Sequence, residues 1–348
     1  MVRRGRMLLI LRKIGRTIRV NLRVLELRGG LCLIYKIPVP TPYDIGPVNS
    51  YLLKSRPYTL IDPGPETTEG REYLVRSLAG AGVRIEEIER IILTHSHTDH
   101  CGLARWMAEV AGAKVYVHER EIPKFGRDYD YLKERLPFLN EAGMPTEWIE
   151  KISSLKNPLP RPELPEDGVV AVKGGEILDM AECSLQVLHL PGHSSGHICL
   201  YEREGQNLFS GDFLLKHISP NPLIEPVPEN PGCRLESLRQ YLDGLGVLEK
   251  MTVRMVWPGH GENIDDCRQA VAKAKKHHKD RLEVVLSVLD HKSMNTFQAM
   301  QFIYPEIKDF EVYLGISEVL AHLDYLCKEG RAVCENRAGV LYYRRNDR

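Results

Sequence analysis

The chain carries no net charge, since 47 lysines and arginines offset 47 aspartates and glutamates over 348 residues. A global electrostatic attraction to nucleic acid or anionic lipid is therefore not expected. No run approaches the 18 or so consecutive apolar residues that a membrane helix needs, so no membrane span is expected. The eight cysteines include no C-x-x-C pair, which argues against a disulfide framework and for reduced thiols in a cytoplasmic protein. Acidic residues are also scarce at the N-terminus, where Arg3, Arg4, Arg6, Arg12, Lys13, Arg16, Arg19, Arg23 and Arg28 face only Glu26. This basic extension over residues 1–30 suits a partly helical appendage, a contact with RNA or a membrane surface, or packing on the domain, and Met7 is an alternative start.

Histidine, by contrast, is concentrated. Thr94-His95-Ser96-His97-Thr98-Asp99-His100 follows the apolar run Arg90-Ile91-Ile92-Leu93. Imidazole and carboxylate bind divalent metals well, and a turn at a strand end lets closely spaced ligands converge. Three later segments repeat the arrangement of a β-rich run closed by Gly or Pro with His or Asp. They are Pro191-Gly192-His193-Ser194-Ser195-Gly196-His197, Gly211-Asp212 after Asn207–Ser210, and Pro258-Gly259-His260-Gly261 after Met251–Trp257. Glycine at such turns permits positive φ and close backbone approach. More ligands are present than one structural zinc site uses, so two metals are expected.

From Leu31 onward strands alternate with helices and hairpins, which predicts layered α/β packing. Residues from about 119 to 164 read as a helical insert, with helices over Tyr129–Leu139 and Thr146–Leu155. It would serve as a lid over the site or only as a cover for the sheet. A long helix is expected over Asp265–Leu289. After it come a short helix over Phe297–Ile303 capped by Thr296, a helix over Ile316–Glu329 and a hairpin around Asn336–Gly339. Helix, helix, helix, hairpin is the winged-helix order. Such modules bind nucleic acid or serve as protein-contact and dimer units, and the balanced charge of this one gives DNA reading little support.

From about Leu31 to Lys279 the chain resembles the metallo-β-lactamase superfamily, through T-H-x-H-x-D-H, the later G-H, G-D and final G-H in order. The resemblance implies a four-layer αββα sandwich over residues 31–279, followed by a winged-helix domain at 280–348. That tail is similar to the one in β-lactamase-like endoribonucleases and their relatives. It further implies that His95, His97 and His193 hold one metal. Asp99, His100 and His260 would hold the second, with Asp212 bridging both. Zinc is the default, and iron or manganese suits the same ligands. A bridging hydroxide would be the nucleophile, with Asp99 and Asp212 as the catalytic carboxylates.

Asp212 departs from true β-lactamases of this fold, so antibiotic hydrolysis is not the expected role. His97 departs from flavodiiron relatives, and the glutathione-binding tail of glyoxalase II is not seen. The expected substrate is a small or carrier-linked ester or thioester, with single-stranded RNA cleavage as the alternative and a homo-oligomer formed through the tail as an option. Asp62, in Ile61-Asp62-Pro63-Gly64, is expected to brace the histidine loop, and Asn49 to fix loop hydrogen bonds. His217 and Asn221, beside Lys216, are candidate pocket-lining residues, and His197 a supporting residue. His118, His277, His278, His291 and His322 read as surface or tail residues. Tyr342 and Tyr343 suit either base stacking or the core of the wing.

Overall fold

A computed structural model describes residues 32–126, 128–155, 157–290 and 292–346. The basic N-terminal extension and His291 lie outside them. Strands β1 (Ile34–Val39), β2 (Val48–Leu53) and β3 (Thr59–Ile61) form an antiparallel meander. Helix α1 (Thr68–Gly80) returns the chain to β4 (Arg90–Ile92), parallel to β3. Its start is set by the Thr67 hydroxyl, which accepts from the Gly70 amide and satisfies one orphan donor of the first turn. Helices α2 (Thr98–Cys101) and α3 (Ala104–Ala111) then lead to β5 (Lys114–His118). The insert carries α4 (Tyr131–Glu141) and α5 (Thr146–Ser154), and β6 (Val169–Val172) completes a six-stranded sheet in chain order.

The second half repeats the plan. Strands β7 (Ile177–Asp179), β8 (Ser184–His189), β9 (Ile198–Glu202) and β10 (Asn207–Gly211) run antiparallel. A small hairpin, β11 (Pro226–Val227) and β12 (Asn230–Arg234), precedes helix α6 (Ser237–Glu249). Strand β13 (Met255–Pro258) joins β10 in parallel, and the long helix α7 (Cys267–Val288) follows. The five-stranded order is β13-β10-β9-β8-β7.

Alternating strand positions explain the layering. Tyr51, Ile61 and Ile92 of the first sheet meet Val187, Leu200, Phe209 and Trp257 of the second in one buried cluster. On the outer faces, Leu74, Leu78 and Met107 cover the first sheet, while Tyr241, Leu245 and Val271 cover the second. The result is the expected helix–sheet–sheet–helix sandwich.

The tail contains β14 (Met294–Asn295), α8 (Thr296–Ile303), α9 (Phe310–Lys328), β15 (Ala332–Arg337) and β16 (Val340–Arg345), with strand order β14-β16-β15. Its core is shared. Leu282, Val285 and Leu286 of α7, Tyr313 and Leu320 of α9 and Tyr343 pack with Phe138, Leu139, Met144 and Ile152 of the insert. The insert is thus buttressed by the tail. Tyr343 is a core aromatic, while Tyr342 is only half-buried and lies beneath the Arg337 guanidinium.

Three local expectations need correction, and one element was not anticipated. Helix α8 is capped by Asn295 rather than Thr296. The Asn295 side chain accepts from the Gln298 amide and the Gln298 side chain accepts from the Asn295 amide, which draws Thr296 into the helix. Helix α9 begins at Phe310 rather than Ile316, because Val312 and Tyr313 are buried against the insert. The strand expected from Met251 begins only at Met255, and the hairpin at 226–234 had no alternating pattern to announce it.

Candidate metal centre

Residues 93–100, 190–197, 211–212 and 258–260 emerge from strand ends on the same rim of the two sheets. Ligand-type atoms of His95, His97 and His193 lie within 4.8 Å of one another, as do those of His95, His100 and Asp212, and those of Asp99, His100 and His260. His97 Nδ1 sits 2.9 Å from His95 Nε2 and 3.1 Å from His193 Nε2. Donors on a tetrahedral zinc with bonds of 2.0–2.1 Å stand about 3.3 Å apart, so this spacing suits a single cation.

The outer ring nitrogens set the tautomers. His100 Nδ1 donates to Asp62 Oδ2 at 2.9 Å, and His260 Nδ1 donates to the Pro47 carbonyl at 3.0 Å. His193 Nδ1 donates to the Asn221 carbonyl at 3.2 Å. Each Nε2 is then left with a lone pair aimed inward, and those of His100 and His260 face each other at 3.2 Å. Two acceptors that close repel unless positive charge lies between or upon them. A divalent cation supplies it; so does a second proton on His100.

The carboxylates are placed accordingly. Asp212 Oδ1 is buried without a hydrogen bond, 3.4 Å from His100 Nε2 and 3.8 Å from His260 Nε2, while Oδ2 is 3.8 Å from His193 Nε2. One oxygen thus faces each histidine group. Asp99 Oδ2 lies 3.3 Å from His260 Nε2. A Cβ on Gly259 would stand 2.4 Å from Asp212 Oδ1, so only glycine leaves that oxygen its space. An orphaned buried carboxylate oxygen amid inward lone pairs fits a metal centre.

Ionisation follows from burial and neighbours. Burial, then the His193 ring, push His97 down to about 3, and burial with His100 pushes His95 well below its usual range. Both are neutral near pH 7, the ligand form. Burial opposes charge on Asp212, but the His100 and His260 rings outweigh it and hold the carboxyl well below its ordinary value. Burial likewise opposes a proton on His100, and Asp212 and Asp99 outweigh it, raising His100 well above the usual range.

Asp62 is 1% exposed and accepts from the Thr94 amide at 2.8 Å, the Thr94 hydroxyl at 2.7 Å and His100. Its φ of 49° is unusual for a non-glycine residue and is held by those three bonds. The Asn49 amide donates to the Pro258 and Gly261 carbonyls and so fixes the His260 turn. His197 Nε2 accepts from the Asp212 amide at 3.2 Å.

His217 is exposed on the loop after Asp212. Asn221 needs correction as a pocket-lining side chain, since its amide donates to the Leu314 carbonyl of α9. Its contribution to the site is the backbone carbonyl that orients His193. The surface reading also fails for three histidines. His118 is buried and stacked on His189, and His278 and His322 are buried between α7 and α9. Each finds polar partners there: the Lys173 carbonyl for His118, Ser219 for His278 and the Glu318 carbonyl for His322. His277 is exposed as expected. His277, His278 and Glu318 form another close group, but Arg281 Nε stands 3.9 Å from Glu318 Oε1 and disfavours a cation.

Sequence reasoning missed Glu121, Lys124, Arg135 and Glu225, a buried charged group behind the histidine loops. Glu121 and Lys124 lie in a short charged stretch at the start of the insert that carries no apolar pattern to announce burial. Arg135 left a faint signal, falling on the same face of α4 as Phe138 and Leu139.

Residues 43–282 match the sequence profile of the Metallo-beta-lactamase superfamily. A Bacillus subtilis protein named "Probable metallo-hydrolase YqjP" is 30% identical, over 89% of this chain and 97% of its own length. An acyl-coenzyme A thioesterase of Gallus gallus, MBLAC2, is 28% identical over 49% of this chain and 55% of its own. A solved metallo-beta-lactamase family protein from Thermus thermophilus superposes with a TM-score of 0.74 at 30% identity, covering 90% of this chain and 98% of that one.

Proposed function

This chain belongs to the metallo-beta-lactamase superfamily and is a metal-dependent hydrolase, and on that premise we propose that it uses two divalent cations to cleave an ester or thioester. The observation that carries this reading is the position of Asp212, with one carboxylate oxygen toward each histidine group. His95, His97 and His193 would hold one cation and Asp99, His100 and His260 the other, with Asp212 shared. Zinc is the default for this donor set, and iron or manganese also suits it.

When bound, such a pair supplies Lewis acidity to the scissile carbonyl and an activated water at neutral pH. The residues around it do the positioning. Asp62 and the Pro47 carbonyl fix the His100 and His260 rings, and the Asn221 carbonyl fixes His193. Asp99 stays ionised despite burial, because His100 favours its charged form. It is available beside the cluster to accept a proton from water.

An ester or thioester is favoured over RNA by the likeness to a named thioesterase and by the charge of the tail, which we read as a winged helix. Arg331 pairs with Glu283, Arg337 with Glu335 and Arg345 with Asp290. Arginines neutralised in this way offer little to a phosphate backbone. Among the described residues, no helix is long and apolar enough to cross a membrane.

The test is metal counting by mass spectrometry together with an assay panel of acyl thioesters, lactones, phosphodiesters and single-stranded RNA. Two metals per chain and a preference for thioester or lactone are expected. A single metal, or faster cleavage of phosphodiesters, overturns the proposal.

A further inference from the structure

We propose that Glu121 is a positioning residue that sets the angle between the two loops of the three-histidine group. It works as half of a buried carboxylate pair clamped by Lys124. This inference rests on the dinuclear reading above and concerns only the metal held by His95, His97 and His193.

Glu121 is fully buried, and its two oxygens divide between the two loops. Oε2 accepts from the Ser96 amide at 3.0 Å and the Ser96 hydroxyl at 2.5 Å. Ser96 stands between His95 and His97. Oε1 accepts from the Ser194 hydroxyl and the Gly196 amide, each at 2.7 Å, in the loop that starts at His193. A rigid planar group thus spans the gap across which His97 Nδ1 and His193 Nε2 stand 3.1 Å apart. Gly196 carries the imprint of this contact, since a Cβ there would lie 2.8 Å from Glu121 Cγ.

Glu225 takes a third donor of the second loop, the Ser195 amide, at 2.7 Å. Lys124 donates at 2.8 Å to Glu121 and to both oxygens of Glu225, and the buried Arg135 donates to Glu225 at 3.0 Å. Two carboxylates and two cations therefore balance inside the protein. Burying such a group seldom adds net stability compared with apolar packing. Fixed geometry at the neighbouring ligands is what it supplies, and outer partners of ligating histidines tune affinity for the ion. Both cations, and Glu121 itself, come from the insert region, so the insert braces the metal loops from behind. The group of Asp99, His100 and His260 is braced differently, by Asp62, the Pro47 carbonyl and Asn49.

The brace is tested by selectivity. Full-length protein is stripped of metal and titrated with Zn²⁺ against a chromophoric chelator, in a His260→Ala background that leaves the three-histidine group and in a His193→Ala background that leaves the other. Adding Glu121→Gln should weaken Zn²⁺ about 10- to 100-fold in the first background and leave the second unchanged. Equal loss in both, or none in the first, overturns the proposal. If circular dichroism shows Glu121→Gln unfolded, Ser96→Ala takes its place, because it removes one accepted bond without altering buried charge. It should show a smaller loss in the same background only, and an insensitive Ser96→Ala then overturns the clamp. A wild-type chain that takes up a single Zn²⁺ overturns the dinuclear reading instead, and the effect of Glu121→Gln is still read on the one remaining metal.

Discussion

At the scale of single residues, the centre depends on one carboxylate turned toward two groups. Asp212→Ala should cost turnover about 10³-fold or more, because Lewis-acid stabilisation amounts to several kcal/mol and each 1.36 kcal/mol is tenfold in rate. Metal content should fall with it, and mass spectrometry beside steady-state kinetics checks both; a variant with full metal and rate refutes the bridge. A pH effect follows from His100. Its affinity for a proton is raised by Asp212 and Asp99, so the metal-free protein near pH 7 holds a proton where a cation would bind. Metal uptake must displace it, so affinity should climb as pH rises toward the raised value of His100 and fall as pH drops. Zn²⁺ titration in weak buffer with an indicator should register proton release, and none would show His100 already neutral. The residues that converge on the site were legible because strand-end turns put imidazoles and glycines into fixed spacing. Glu121 and Lys124 were not, because a buried ion pair in a turn has the composition of a solvated one. His278 and His322 misled for a related reason, since polar residues on a long helix look solvent-facing until a second helix covers them.

Among elements, those with a clean period were readable from the chain, and the long helix expected over Asp265–Leu289 is found over Cys267–Val288. Boundaries decided by side-chain hydrogen bonds were not. Helix α8 is the plainest case, since both Asn295 and Thr296 are good caps and only the reciprocal bond to Gln298 chooses between them. Asn295→Ala should therefore cost about 1 kcal/mol in chemical denaturation. Thr296→Val should cost little, because the Thr296 hydroxyl is buried without a partner and valine keeps its shape. The reverse ranking would restore Thr296 as the cap. The early start of α9 has a different origin. Its first turn is specified by apolar contact with the insert, a long-range partner that local periodicity does not reveal.

For the molecule as a whole, the boundary near residue 280 falls inside α7, a continuous helix whose first half packs on the second sheet and whose second half packs on the tail. The insert adds a second tie, since Phe138, Leu139, Met144 and Ile152 share one buried cluster with that tail. Polar bonds run the same way. Arg234 pairs with Asp324 of α9 and Glu141 of α4, and the Asn221 side chain holds α9 while its carbonyl orients His193. Removing residues 280–348 would bare the apolar face of α4 and α5, at about 1.5–3 kcal/mol for each large side chain returned to water. Four such losses come to about 6–12 kcal/mol, comparable with the 5–15 kcal/mol that holds a typical domain together. The truncated chain should therefore aggregate or expose apolar surface to a hydrophobic dye, and it should lose Zn²⁺ through the loosened Asn221 support and the Glu121–Lys124–Glu225 group. A soluble truncation with wild-type metal content and hydrolytic rate would show that the insert finds its own cover and that the tail acts only as an appended module.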